Sequence, residues 1–122
     1  MIESILNTIK KMLGISVEDS AFDADVLVAI NSAIMFLHQI GVGPEDPILV
    51  VDQNTEWDAL TTNTAIQAMS KTYIYLSAKM VFDPPGTSFA IEAFRKILDE
   101  LYWRIQVVSD PYIPEPVVPP EV

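Results

Sequence analysis

The sequence predicts an all-α protein: a small bundle of four to five helices organised around a central antiparallel helical hairpin. Long stretches repeat apolar residues at alternating steps of three and four, which is typical of amphipathic helices. The segment 83–86 reads Asp-Pro-Pro-Gly and divides two such stretches, because consecutive prolines end a helix. A short extended excursion near 47–52 has the branched residues of a strand, but no obvious partner of similar type.

Length and composition indicate one helical domain, residues 1–108, followed by an extended arm, residues 109–122. The chain is half hydrophobic, which is enough for a single core. It has no cysteine, so a disulfide framework, a thiolate metal site and a cysteine nucleophile are excluded. The N-terminus spaces its apolar residues helically, so we expect no secretory signal. The uncharged run 26–44 carries polar residues, which favours a buried helix and no membrane partner.

The first two helices are predicted from their apolar faces and end signals. The first covers residues 2–13, and its last turn holds Lys10 and Lys11, which favour the negative end of the helix dipole. Gly14 follows, where a left-handed C-cap residue is wanted. The second helix starts at Asp23, whose side chain can cap the free amides, and it ends at the next glycine.

The excursion follows, and it separates these helices from the hairpin. We interpret 47–52 as surface backbone that can pair with a neighbouring subunit. The sequence Thr-Glu-Trp-Asp at 55–58 resembles a capped turn, so a short helix is predicted to begin near Thr55.

The hairpin consists of a helix over about 62–82 and a helix from position 87 or 88 to about 107. Helical spacing predicts the buried face of the first as Ile66, Met69, Tyr73, Leu76 and Met80. It predicts the buried face of the second as Ala90, Phe94, Ile97, Leu101 and Ile105. Two i,i+4 ion pairs are expected on the second helix, Glu92–Lys96 and Glu100–Arg104.

The C-terminal arm is predicted to be extended and polyproline-like, because five of the nine prolines fall between 111 and 120. Four apolar side chains are unusual for a purely solvating tail: Tyr112, Ile113, Val117 and Val118.

Charge is distributed unevenly along the chain, whose formal net charge is −10. Residues 12–70 contain nine acidic residues and no lysine or arginine. Binding to the nucleic-acid backbone needs a basic face, so the sequence disfavours direct DNA binding. Acidic charge also keeps many proteins dispersed in solution, which is the simpler explanation of the imbalance.

The sequence contains little evidence of a catalytic site. His38 is the only histidine and lies among apolar neighbours, so a structural or dipole role is favoured. Asp23 and Asp25 lack the glycine and distal glutamate of a calcium loop, so capping is the stronger interpretation. We therefore assign no catalytic, metal or cofactor-binding residue and expect no cofactor.

The aromatic residues point instead to contacts between proteins. Tyr75 lies about 200° round the helix from Tyr73, and Trp103 is two residues from Leu101, so these side chains cannot all face inward. They are exposed in a monomer or buried against a partner, since Tyr and Trp are enriched at interfaces. Burial by the N-terminal helix is the alternative. Four residues are predicted to form a subunit or portal interface: Tyr75, Lys71, Lys79 and Trp103.

The order of several segments resembles the small head–tail connector (adaptor) proteins of tailed bacteriophages and prophages. The segments are FDADVL and INSAIMFLHQIGVGP, then TEWD, then KTYIYLSAKMVFDPP, and finally ELYWRI. The resemblance covers about residues 2–106, and it rests on packing and turn residues in a particular order.

The resemblance implies an all-helical subunit without enzymatic activity that assembles into a homo-oligomeric ring of about twelve copies below the portal protein. Such a ring extends the DNA channel, lets DNA pass without specific binding, and presents a surface to the stopper or tail-completion protein. It places the protein at the head–tail junction of the virion, after assembly in the host cytoplasm. It also implies that the arm docks on the portal through Tyr112, Ile113, Val117 and Val118.

The sequence is also compatible with two other functions. The acidic stretch 12–70 is compatible with a soluble regulator that inhibits a nucleic-acid enzyme by DNA mimicry, through carboxylates such as Glu45, Asp46, Asp52 and Asp58. A hydrolase acting through carboxylates is a more distant alternative.

Overall fold

A computed structural model describes residues 4–109 of the chain. These residues form five helices: α1 (Ile5–Met12), α2 (Asp23–Gln39), α3 (Trp57–Leu60), α4 (Thr64–Phe82) and α5 (Ser88–Ser109). Among them there is no strand, and Ser4 and Glu56 form one isolated antiparallel bridge. The predicted all-α bundle with an α4–α5 hairpin is therefore confirmed. The proline-rich arm lies outside the described residues.

Helix α4 lies at the centre of the bundle and packs against α1, α2 and α5. Its predicted apolar face is buried at Ile66, Tyr73 and Leu76. The neighbouring face is buried as well, and it carries Ser70, Ile74 and Ala78. Because neighbours cover α4 on more than one side, its buried residues extend beyond a single amphipathic stripe.

The α4–α5 contact includes a tilted pair of tyrosine rings, Tyr73 and Tyr102, with centroids 6.0 Å apart. Burial, followed by the charges of Tyr102 and Asp99, raises the pKa of Tyr73. The prediction that Ile97 is buried was wrong, since its side chain is 43% exposed. The face of α5 that meets the core is centred on Leu98, which places Ile97 at its edge.

Helix ends follow their capping residues. Helix α1 begins at Ile5 and not at the predicted residue 2, because Ser4 is extended and its hydroxyl accepts from the Asn7 amide at 3.2 Å. Similarly, α4 starts two residues later than predicted, where the Asn63 side chain accepts from the Ile66 amide at 3.0 Å.

The predicted glycine stop after α1 is confirmed. Gly14 has a φ of 83°, and its amide donates to the Lys11 carbonyl at 3.0 Å. The Ile15 amide reaches back to the Lys10 carbonyl at 2.8 Å, which completes a Schellman motif. Only glycine adopts this backbone conformation without strain.

Lys10 has a structural role that its position in the last turn of α1 did not predict. Its side chain is only 1% exposed. Nζ lies 3.0 Å from the Val17 carbonyl, 2.7 Å from the Asp19 carbonyl and 2.7 Å from Asp23 Oδ1. Two of the three N–H donors of the ammonium group bond these carbonyls, and the carboxylate of Asp23 balances its charge as an ion pair. Lys10 therefore joins α1, the following loop and the start of α2.

The expected capping role of Asp23 was wrong. The N-cap position of α2 is Phe22, and no side chain caps the helix there. Asp23 is the first helical residue, and its carboxylate pairs with Lys10 at 2.7 Å. A charge in the first turn still interacts favourably with the helix dipole, although it makes no capping hydrogen bond.

The extended excursion pairs with a side chain of its own subunit. Asn31 on α2 donates from Nδ2 to the Val50 carbonyl at 2.9 Å, and its Oδ1 accepts from the Val50 amide at 2.8 Å. This pair of bonds imitates a strand neighbour, and it holds Val50 in the core at 1% exposure. Leu49 and Val51 alternate outward and are 66% and 62% exposed.

The predicted short helix is α3, and it is anchored by Trp57. Its indole is 3% exposed, and Nε1 donates to Thr8 Oγ1 on α1 at 3.0 Å. The Ile5 amide donates to the Thr55 carbonyl at 2.9 Å. These bonds attach the segment after the excursion to α1.

We predict that Lys10→Met lowers the free energy of unfolding by about 2–4 kcal/mol, because two partly buried carbonyls lose their donor and Asp23 loses its counter-ion. Urea denaturation monitored by circular dichroism measures the change. Lys11→Met is the matched control, since Lys11 is exposed and a change of about 0.5 kcal/mol or less is expected there. Equal effects of the two variants would contradict the role of Lys10.

We also predict that Asn31→Ala destabilises the protein by about 1–3 kcal/mol, since it removes both hydrogen bonds to Val50. Amide hydrogen exchange should accelerate at Val50 more than in α4. Gln39→Ala on the same helix is the control, because Gln39 is exposed. Unchanged amide exchange at Val50 in Asn31→Ala would show that the two hydrogen bonds from Asn31 do not hold the excursion.

Candidate interaction surfaces

The titratable residues do not converge on a reaction centre. Within residues 4–109 no group of three or more His, Asp or Glu residues could hold a metal ion. The half-buried His38 lies with Nε2 2.9 Å from the Glu45 carbonyl, so it ties the end of α2 to the next loop. The hydroxyl of Ser70 is fully buried within the core and has no hydrogen-bond partner among the described residues. Its position gives a substrate no access to it.

The exposed carboxylates of 45–58 divide into two kinds. Asp52 accepts from the Asn54 amide at 2.8 Å, and Asp58 accepts from Gln67 Nε2 at 3.1 Å. These two acids stabilise a turn and the α3–α4 junction. Glu45 and Asp46 are exposed, and their carboxylates make no hydrogen bond within residues 4–109.

Three of the residues predicted at an interface lie along one flank of α4, and each has contacts inside the subunit. Tyr75 is half-buried and packs against the core. Lys71 Nζ lies 5.3 Å from the centroid of the Trp57 ring, which is a cation–π distance. Lys79 pairs with Asp83 at 3.0 Å. A role for this flank at an interface stays a prediction.

Trp103 is different, because 63% of its surface is exposed. It belongs to a row on α5 that also contains Phe89, Lys96 and Val107, which we call the outer stripe. Phe89 is 85% exposed and Val107 is 55% exposed. These positions lie about 140–180° round the helix from Leu98, so the stripe points directly away from α4.

A second apolar surface lies between α2 and α4. It is a groove of about 480 Å³, which we call the α2–α4 groove, and its walls include Val28, Ala29, Val81 and Phe82. Val28 and Val81 are 67% and 68% exposed. Asp25 lies at this groove, together with the hydroxyl groups of Ser32 and Ser77. Exposed apolar surface of this kind is typical of protein–protein contacts.

Sequence reasoning missed the groove and most of the stripe. Val28 is two residues from both Val26 and Ile30, which are buried, so α2 carries apolar residues on opposite faces. This presence of apolar residues on two faces of α2 is the sequence feature that could have indicated the groove. No comparable pattern indicates that Phe89 is exposed, because it lies beside predicted buried positions at the start of α5. The predicted arm residues Tyr112, Ile113, Val117 and Val118 lie outside the described residues.

None of the helices within residues 4–109 has the combination of length and apolar character needed to cross a membrane. No curated protein and no solved structure matches the chain significantly. A family model described as "Phage connector protein" matches residues 5–112, which is most of the chain. This match includes both apolar surfaces and all five helices. The chain belongs to the phage connector protein family, a structural family of the phage particle.

Proposed function

We propose that the protein is a head–tail connector, or adaptor, that forms a ring of about twelve copies below the portal. The ring extends the DNA channel and links the capsid to the tail. The observation that carries this proposal is the family match over residues 5–112. The protein is a component of the virion at the head–tail junction, and it assembles in the host cytoplasm.

Exposed apolar surface supports an assembling subunit. The outer stripe and the α2–α4 groove leave large apolar side chains in water, at exposures of 55–85%. A monomer gains nothing from this exposure, whereas a chain that assembles removes it from water. Two separate apolar surfaces also suit a subunit that contacts more than one neighbour.

The basic residues support a channel that does not grip DNA. Lys10 is buried, Lys71 lies over Trp57, and Lys79 pairs with Asp83. On α5, Arg104 pairs with Glu100 at 2.7 Å, as predicted, whereas no Glu92–Lys96 ion pair occurs within residues 4–109. With few cations available for phosphates and a net charge of −10, the protein lets DNA pass without specific binding.

The partners in this role are further copies of the chain, the portal protein and a stopper or tail-completion protein. We propose two parts with separate tasks. The helical domain, residues 1–108, builds the ring, and the arm, residues 109–122, docks on the portal through its apolar side chains. A proline-rich segment is stiff before it docks, so docking loses little conformational entropy. The role requires no enzymatic activity and no cofactor.

Deletion of residues 109–122 is predicted to weaken association with the portal protein by at least about tenfold, since four apolar anchors are lost. Size-exclusion chromatography with light scattering, with and without portal protein, measures the association. Circular dichroism checks that the helices remain. A wild-type chain that never associates with portal assemblies would overturn the proposed function.

The same experiment separates this role from DNA mimicry. Charge reversal of Glu45 and Asp46 leaves the local hydrogen bonds intact, because their carboxylates make none within residues 4–109. A connector keeps its portal association in this variant, whereas an inhibitor that imitates DNA loses its effect on its target. The opposite pattern, with a dispensable arm and essential carboxylates, would favour the inhibitor.

A further inference from the structure

The outer stripe and the α2–α4 groove cannot meet within one subunit. Helix α4 forms one wall of the groove, and the stripe faces directly away from α4. Helix α2 packs on α4 and has little contact with α5. Contact between these two surfaces therefore requires two copies of the chain.

We infer that the outer stripe of one copy docks in the α2–α4 groove of the next copy, with Trp103 as the anchor. The inference rests on the proposed ring-forming function and specifies the subunit contact. Two different surfaces that pair in this way make a heterologous interface, which repeats around a ring when the rotation closes. A two-fold dimer would instead place the same surface on both sides.

The chemistry of the groove suits an indole. Its volume of about 480 Å³ lies within the range of sites that bury a ligand group, about 300–1,000 Å³. A buried tryptophan needs an acceptor for its Nε1–H. Ser32 and Ser77 line the groove beside its apolar residues, and a serine hydroxyl can accept such a hydrogen bond. Large aromatic side chains in such pockets carry most of the affinity of many interfaces.

Charge is complementary across the same contact. Lys96 lies on the stripe seven residues from Trp103, or two helical turns, and it is exposed. Glu100 lies between them on the same row, but it pairs with Arg104 at 2.7 Å, so Lys96 is the charge on the stripe without an ion pair of its own among the described residues. Asp25 lies at the groove and is exposed. Neither residue forms an ion pair within residues 4–109. The α2 wall of the groove belongs to the stretch 12–70, which has no basic residue, so Lys96 of a neighbour meets Asp25 with no competing cation on that wall.

The absence of cysteine from the sequence allows a direct test by crosslinking. Val28→Cys marks the groove and Val107→Cys marks the stripe, both in the full chain. A short bifunctional maleimide should join a mixture of the two variants several-fold more efficiently than either variant alone. Trp103→Ala in the Val107→Cys chain should lower the yield by at least about tenfold, as expected for an aromatic anchor.

Leu49→Cys is the matched control for the groove position. Leu49 is 66% exposed, nearly the same as Val28, but it lies on the excursion outside both surfaces. Val107→Cys should not crosslink to it above background. Equal crosslinking to Leu49→Cys and Val28→Cys, or stronger crosslinking within a single variant, would overturn the heterologous contact.

A charge exchange tests the register of the contact. Lys96→Glu and Asp25→Lys should each lower the yield from Val28→Cys and Val107→Cys several-fold, and the two changes together should restore it. Thermal unfolding of Asp25→Lys checks α2, since Asp25 lies in its first turn. If the crosslinking yield of the double variant stays as low as the yields of the single variants, Lys96 does not face Asp25.

Failure of this contact can be distinguished from failure of the proposed function. If Trp103→Ala still forms rings with portal protein, the inferred contact is wrong and the connector role stands. If the wild-type chain never binds portal protein, the connector role fails, even where the crosslink between groove and stripe is found.

Discussion

Burial of α4 on several sides is the constraint on which the arrangement of the other helices depends. Ser70, Ile74 and Ala78 lie beside the predicted apolar face of Tyr73 and Leu76, so one neighbouring helix is not enough to cover them. Helices α2, α5 and α1 all pack on α4. The Asp-Pro-Pro-Gly segment lets α5 return along α4, because the prolines cannot continue the first helix.

Two polar side chains attach the irregular segments to this helical core. The ammonium group of Lys10 holds the loop after α1 and the start of α2, and the amide of Asn31 holds the excursion. Both act through backbone groups, which are expensive to bury without partners. Apolar packing therefore sets the helix positions, while these hydrogen bonds determine how the loops lie on them.

The same packing leaves the outer stripe and the α2–α4 groove uncovered. Because α5 turns Leu98 and Ile105 toward the core, Phe89 and Trp103 are left facing outward. Because α2 buries Ile30 and Leu37, Val28 remains on its outer side beside Val81 of α4. A structural subunit uses such surfaces for assembly, which agrees with membership in a phage connector family.

Local sequence by itself determined the all-helical class, the glycine stop after α1, the proline break after α4 and most of the α4 face, because these features depend on spacing and backbone preferences within a few residues. It also identified Trp103 as an aromatic residue outside the core face. Only the tertiary structure decided the roles of Lys10, Asp23 and Asn31, since their partners come from other parts of the chain. It likewise decided which flanks of α2 and α5 stay exposed, because a helix with apolar residues on two faces can be buried on either one until its neighbours are in place.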